Sequence, residues 1–186
     1  MLRVISGTAK GHKLKTLKSD KTRPTSDKVK GALFSILTGY VQDAEVLDLF
    51  AGTGSLGIEA LSRGAKEATF VDRSEECIKI IKENLIHTKL LEKAIIIRGN
   101  VSDVLKKLHL DGKSYDLIFL DPPYNKGLIA ETLQLIETYG LLRQDGFIIA
   151  EKSIKDEVPE RIGRLTLVSE HKYGDTALVR FKISEV

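Results

Sequence analysis

From residue 45 to residue 150, short apolar runs alternate with stretches that carry a helical repeat of apolar positions. The apolar runs have the length of strands and cover residues 46–50, 68–71, 94–97, 115–120 and 147–150. Between them, apolar residues recur at helical spacing, as in Ile78, Ile81 and Leu85. Such alternation predicts right-handed crossovers and a mainly parallel sheet. We therefore expect an α/β fold that binds ligands beyond the carboxyl ends of its strands.

The two ends of the chain depart from this alternation. Near the carboxyl terminus, segments 165–168 and 176–181 flank Tyr173-Gly174-Asp175 with no helix between them. They predict an antiparallel hairpin that completes a sheet of about seven strands. Near the amino terminus, segments 2–5 and 12–17 alternate around two glycines and predict a small basic β-hairpin.

A helix is predicted after this amino-terminal hairpin. Thr25 or Ser26 can cap its first turn, and Gly39 can end it. Lys28 and Lys30 lie off its apolar stripe. The stripe itself consists of residues three or four apart, namely Val29, Ala32, Leu33, Ile36 and Leu37.

Positive charge is concentrated at the start of the chain. Residues 1–30 hold nine Lys or Arg against two Asp, a net charge of +7, whereas the remaining residues carry −4 and the whole chain +3. A cationic segment on a mildly acidic body is typical of a polyanion-binding surface, although a solvated, lysine-rich flank has the same composition. We expect residues 1–40 to form a nucleic-acid-binding extension and residues 41–186 to form the main domain.

Composition predicts the cellular setting. The 186 residues can bury one substantial core, and a single cysteine, Cys77, fits a reducing compartment. No apolar run approaches membrane-spanning length, and the amino terminus lacks the apolar centre of a signal peptide. We expect a cytoplasmic protein with no membrane partner that acts as a monomer.

A glycine-rich loop, Gly52-Thr53-Gly54-Ser55-Leu56-Gly57, lies between a predicted strand and a predicted helix, where a G-x-G-x-x-G loop binds nucleotides. Asp72 follows Gly52 by twenty residues and ends the next strand, where it can accept hydrogen bonds from ribose hydroxyls. These features fit both a nicotinamide dinucleotide and S-adenosylmethionine. Asp48 favours S-adenosylmethionine, because a carboxylate beside the loop repels a pyrophosphate and attracts an ammonium group.

The predicted cofactor site extends to the ends of the neighbouring strands. Asn100 follows the third strand and can either cap the next helix or meet the adenine. We expect no metal ion, because the sequence has no cluster of His, Cys or Asp at metal-ligand spacing. The whole set comprises Asp48, Phe50, Ala51, Gly52, Thr53, Gly54, Asp72, Arg73, Asn100, Val101 and Asp121.

The segment Asp121-Pro122-Pro123-Tyr124 directly follows the fourth predicted strand. Its prolines lack backbone donors and hold a rigid turn, so the surrounding carbonyls can only accept hydrogen bonds. Asp121 adds a carboxylate, and Tyr124 adds a ring on which a planar base can stack. This segment, which we call the clamp, therefore predicts a site that holds a planar group with an NH2 and aligns its lone pair for methyl transfer. As a prediction from sequence alone, the clamp fits guanine, adenine and cytosine equally.

These motifs, in this order, resemble the amino-group N-methyltransferases with the class I S-adenosylmethionine fold. More closely, the chain resembles the RsmD type, bacterial 16S rRNA guanine-N2 methyltransferases that modify guanine-966. The resemblance is nearly full length and rests on Ile5-Ser6-Gly7, Arg23-Pro24-Thr25, the segments 47–54 and 56–64, the clamp, and Tyr173-Gly174-Asp175-Thr176. One departure is Tyr124, which stands where the family often has Phe.

The resemblance implies a Rossmann-like domain that uses S-adenosylmethionine and releases S-adenosylhomocysteine. It implies that residues 121–124 hold the guanine amino group and that the partner is 16S rRNA in an assembled or nearly assembled small subunit. It also assigns the basic extension to rRNA. The RNA-binding set that we predict is Arg3, Lys10, His12, Lys13, Arg23 and Thr25.

Three other functions fit parts of the sequence. A methyltransferase could act on another amine, such as DNA adenine or a glutamine side chain, although the cationic extension disfavours a protein substrate. An NAD-dependent oxidoreductase would need a positioned catalytic pair, which the sequence lacks. A non-catalytic RNA-binding module would have no use for Asp121 and the glycine loop.

Overall fold

The computed structural model describes residues 1–18, 25–124 and 127–185, which form one eight-stranded sheet with helices on both faces. The helices are α1 (Asp27–Ile36), α2 (Ser55–Ser62), α3 (Glu75–His87), α4 (Val101–Leu110) and α5 (Leu128–Tyr139). The strands are β1 (Glu45–Leu49), β2 (Glu67–Asp72), β3 (Ala94–Arg98), β4 (Tyr115–Leu120), β5 (Leu142–Ser153), β6 (Arg161–Ile162), β7 (Leu165–Tyr173) and β8 (Thr176–Ile183).

The order of the strands creates a crevice in the middle of the sheet. The order is β3-β2-β1-β4-β5-β8-β7-β6; the first five are parallel, and β8, β7 and β6 pair antiparallel. The chain runs outward from β1 to β3 and then returns to β4 on the other side of β1. Ligands of open α/β sheets bind at such a reversal, beyond the carboxyl ends of the strands. The glycine loop follows β1 and the clamp follows β4, so both lie at this point.

Two apolar layers enclose the sheet. One contains residues of α1, α2 and α3 together with Leu2, Val4 and Leu14. The other contains residues of α4 and α5, such as Leu105 and Leu133. Because the amino-terminal segment contributes to the first layer, it is part of the same core as the glycine-loop helix.

Buried polar side chains of α2 and α3 fix this amino-terminal segment. Glu59 is fully buried and accepts hydrogen bonds from the backbone N–H groups of Ile5 and Ser6, at 2.9 and 3.0 Å for the shortest contacts. Ser62 Oγ accepts the N–H of Ala9 at 2.9 Å. Asn84 donates to the carbonyls of Lys15 and Thr53 and so joins the segment to the glycine loop.

The predicted α/β fold, with its parallel sheet and carboxyl-terminal hairpin, is confirmed. The sheet has eight strands rather than seven, because the two-residue β6 pairs with β7. The predicted amino-terminal hairpin contains an antiparallel bridge between Arg3 and Lys13, with further backbone hydrogen bonds from the Val4 N–H to His12 and from the Leu14 N–H to Leu2, each at 2.9 Å. Strand β5 begins at Leu142, before the predicted residue 147, and a bulge interrupts its pairing with β4 between Leu142 and Phe147.

Two predictions about helices were wrong. Helix α2 begins at Ser55 rather than at Ile58, so Gly57 lies within the helix and not in the loop. Glycine is needed there because a Cβ at Gly57 would lie 2.3 Å from the Phe70 ring. Lys30, expected off the apolar stripe, is fully buried and forms an ion pair with Glu59 at 3.4 Å.

Candidate active site

The glycine loop has the backbone geometry that its residue types predict. Gly52 and Gly54 have φ of 58° and 81°, in the left-handed region that favours glycine. Phe50 also has a positive φ, 57°, which is uncommon for a bulky residue and occurs mainly at functional sites. A Cβ at Gly52 would meet no atom within 4 Å. The space over this loop is therefore open to a ligand.

Asp72 ties the loop to the end of β2. Its two carboxylate oxygens accept the N–H groups of Gly52 and Ser74, each at 2.9 Å. Each oxygen has further acceptor capacity. The half-buried side chain is thus held at the crevice, and its predicted contact with a ribose stays a prediction.

Asp48 lies beneath the loop rather than on its surface. The residue is 1% exposed, and its carboxyl accepts the N–H of Gly57 at 3.0 Å. Burial raises the pKa of Asp48 to about 8, and the negative charge of Asp72 adds to this rise. Burial at this position therefore favours the protonated form of the carboxyl in the free protein. Its predicted contact with an ammonium group stays a prediction.

The flanks of the predicted cofactor site are at the ends of β2 and β3. Arg73 follows Asp72 and is exposed. Asn100 occupies the N-cap position of α4, but its side chain makes no capping hydrogen bond, which leaves its amide for another partner. Val101, the first residue of α4, is half-buried.

The clamp begins immediately after β4, at the crevice. Leu49 of β1 pairs with Leu120 of β4. Asp121, the first residue of the clamp, therefore lies beside the glycine loop. Burial raises the pKa of Asp121 well above its ordinary value, and the charges of Glu151 and Asp48 raise it further. A carboxylate with a raised pKa is a comparatively strong proton acceptor.

Glu151, a residue that the sequence reasoning missed, completes the clamp. It is 8% exposed and accepts the Tyr124 hydroxyl at 2.8 Å and the Thr25 hydroxyl at 3.0 Å. The Thr25 Oγ1 is also 3.4 Å from Asp121 Oδ2. A sequence signal was present, because Glu151 directly follows the apolar run 147–150 of a predicted strand.

Tyr124 remains a hydrogen-bond donor at physiological pH. Burial, with a further contribution from the Glu151 carboxylate, raises its pKa to about 12. The residue is 37% exposed and borders a cavity of about 350 Å³. The volume is within the range of small-molecule sites. The cavity is lined by Pro122, Pro123, Tyr124, Gly127, Leu128, Ile129, Ala130, Glu151, Lys155, Asp156 and Glu157.

The predicted RNA-binding residues occupy different environments. Lys10 and Lys13 are exposed, whereas Arg3 pairs with Asp27 at 2.9 Å. His12 is half-buried, and its ring packs edge-on against His87. Thr25 lies at the clamp and not with the lysines, because its hydroxyl contacts the two carboxyl groups. Arg23 lies outside the described residues.

The described residues offer neither a metal-binding cluster nor a membrane-spanning helix. Within residues 1–18, 25–124 and 127–185, no group of three His, Cys, Asp or Glu side chains could hold a metal ion. None of the helices in these ranges is long and apolar enough to cross a membrane.

The fold is that of a class I methyltransferase. A solved structure entitled "Putative methyltransferase yhhF from Escherichia coli" superposes with a TM-score of 0.86 and 32% identity, and the match covers 98% of each chain.

The model of the family described as "Conserved hypothetical protein 95" matches residues 2–182, and the chain belongs to this family. "Putative rRNA methyltransferase YlbH" of Bacillus subtilis (strain 168) is 42% identical over 97% of this chain and 98% of its own length. "Ribosomal RNA small subunit methyltransferase D" of Escherichia coli (strain K12) is 33% identical over 95% of this chain and 87% of its own length. The resemblance to the RsmD type is thereby confirmed.

Proposed function

We propose that the protein is an S-adenosylmethionine-dependent rRNA methyltransferase that modifies the N2 amino group of guanine-966 in 16S rRNA, within an assembled or nearly assembled small subunit. The observation that carries the proposal is the clamp, with a carboxyl group beside the glycine loop and a cavity bordered by Tyr124. The name of the Escherichia coli relative supports small-subunit rRNA as the substrate.

The residues of the crevice fit S-adenosylmethionine. The open space over Gly52, the lone pairs of Asp72 and the uncapped amide of Asn100 supply a backbone cradle, a ribose acceptor and an adenine partner. Asp48 beneath the loop would be ionised by an approaching ammonium group, since a nearby cation favours the carboxylate form. When bound there, the cofactor would supply a methyl group on a positively charged sulfur.

The remaining predicted residues complete this cofactor site. Phe50, Ala51, Thr53 and Gly54 line the loop, and Arg73 and Val101 flank it. Apart from buried Gly54, these residues are half-buried or exposed, which would give a ligand access to the loop.

The clamp would act on the amino group that accepts the methyl. An exocyclic amine is a weak nucleophile because its lone pair is delocalised into the ring. Asp121 and the carbonyls of the Pro122-Pro123 turn would accept its two N–H hydrogens, which orients the lone pair and stabilises positive charge on the nitrogen. After transfer the nitrogen holds one proton too many, and Asp121, with its raised pKa, is suited to accept it.

The amino-terminal extension, residues 1–40, would contact the RNA backbone. Lys10 and Lys13 are exposed, and neither forms an ion pair in the part of the chain that the structure describes. Exposed cations of this kind neutralise phosphates and release counterions. Because this segment packs on α2 through Glu59, the contacts with RNA would lie on a rigid part of the molecule.

The proposal is tested by offering labelled S-adenosylmethionine with unmodified small subunits, naked 16S rRNA or duplex DNA. We expect label in N2-methylguanine of the subunit, at guanine-966 when the site is mapped. Asp121→Asn keeps the shape of the clamp and removes its charge, so turnover should fall by about a hundredfold while cofactor affinity is retained. Label only in DNA adenine would refute the proposal, and an equal loss of cofactor affinity would refute the role of Asp121.

A further inference from the structure

Glu151 lies where it can read the base that the clamp holds. Leu49, Leu120 and Ala150 are in register across β1, β4 and β5. The segments that follow these three residues therefore lie side by side across the crevice, in the order glycine loop, Asp121 and Glu151. Residues in register on neighbouring strands point to the same side of the sheet. The Thr25 hydroxyl, within 3.4 Å of both carboxyl groups, shows that the two side chains converge.

The two carboxyl groups match only one of the bases that carry an amino group. Guanine presents an N1–H beside its N2 amino group, so its edge has donors at both positions. Adenine and cytosine instead present a bare ring nitrogen beside the amino group, and this nitrogen is an acceptor. Two neighbouring carboxylates, which accept when ionised, pair with the first edge and are repelled by the other two.

We propose that Glu151 is the residue that selects guanine, by accepting its N1–H while Asp121 accepts from N2. The inference rests on the proposed function and deepens it, because the Asp-Pro-Pro-Tyr segment alone fits any planar amino group. Each oxygen of Glu151 already accepts one hydroxyl, from Tyr124 or Thr25. These contacts fix the carboxylate and leave it two of about four acceptor positions.

The position of Glu151 also argues against a purely structural role for this residue. A carboxylate that only anchored Tyr124 would need one acceptor oxygen and no opening to the cavity, whereas Glu151 lines the cavity together with both prolines and Tyr124. Lys155 lines the same cavity and carries a cation, which suits the O6 acceptor of guanine.

The test compares two bases at the target nucleotide. Small subunits are reconstituted with guanine or 2-aminopurine at the position that the wild-type enzyme methylates. The analogue keeps the N2 amino group but has a bare N1 and no O6. Wild-type kcat/KM should favour guanine by about a hundredfold or more, because a site built to accept an N–H discriminates strongly against an analogue that lacks it.

Glu151→Gln should then shift this preference. The glutamine amide can donate to a bare N1, so the ratio of guanine to 2-aminopurine should fall at least tenfold. Any intrinsic difference in amine reactivity cancels when the two enzymes are compared. Glu92→Gln makes the same chemical change at an exposed residue before β3 and should leave the ratio at the wild-type value.

The outcomes separate this inference from the proposed function. If the wild type does not methylate a guanine in the subunit, the proposed function fails. If it does, but Glu151→Gln leaves the base preference unchanged, only the role of Glu151 is overturned. The wild-type comparison does not depend on any variant: equal kcat/KM for guanine and 2-aminopurine would show that N1–H is not read.

Discussion

The buried carboxyl of Asp48 should make the free protein less stable as the pH rises. The pKa of this group is 3.8 in the unfolded reference and about 8 in the folded protein, because burial disfavours the charged form. Between these values the folded protein holds a proton that the unfolded chain has lost. Stability from this group is therefore complete below the unfolded pKa and is lost as the pH rises through about 8.

The size of the effect follows from the width of that window. Between about pH 6 and about pH 9, this carboxyl is expected to reduce the free energy of unfolding by roughly 2–3 kcal/mol. Asp48→Asn mimics the protonated acid and can still accept the Gly57 N–H. The variant has no proton to lose at this position. Between about pH 6 and about pH 9, its free energy of unfolding should therefore fall by roughly 2–3 kcal/mol less than that of the wild type.

Urea unfolding of the wild type and of Asp48→Asn, without ligand at both pH values, measures this difference. A constant cost of burying the amide cancels, because it is present at each pH. Groups shared by the two proteins, such as Cys77, also cancel to first order. The reasoning is refuted if the two proteins lose equal stability between the two pH values.

Three further predictions concern other parts of the molecule. Tyr124→Phe keeps the ring and should lower kcat/KM less than tenfold, whereas Tyr124→Ala removes base stacking and should lower it by about 5–150-fold; equal losses would contradict stacking. Lys30→Met removes the buried ammonium partner of Glu59, whose carboxylate keeps only its ion pair with Arg63 at 2.9 Å, and should cost about 3 kcal/mol in urea unfolding, against less than about 0.5 kcal/mol for the exposed control Lys28→Met. Lys13→Gln should make the slope of log K for RNA binding against log salt concentration shallower by about one released counterion. Lys113→Gln, at the opposite end of the strands, should leave this slope unchanged, and equal slopes for the two variants would exclude Lys13 from the interface.

Local sequence patterns predicted the layers of the fold and the elements that form most of the crevice. Apolar runs of strand length and helical repeats are local patterns, and short crossovers of fixed hand leave few ways to arrange them. For that reason the glycine loop, Asp72 and Asp121 could be assigned to neighbouring strand ends from sequence patterns alone. Turn chemistry at Tyr173-Gly174-Asp175 likewise fixed the terminal hairpin.

The roles of the charged residues, in contrast, depend on contacts that form only in the tertiary structure. Lys30 sits next to Val29 in a helix and differs little from an exposed lysine in sequence, yet it is buried because Glu59, far along the chain, offers a partner. Glu151 and Thr25 reach the clamp from segments 126 residues apart. Burial, ion pairing and pKa depend on atoms that are near in space, and a single sequence records neighbours along the chain alone.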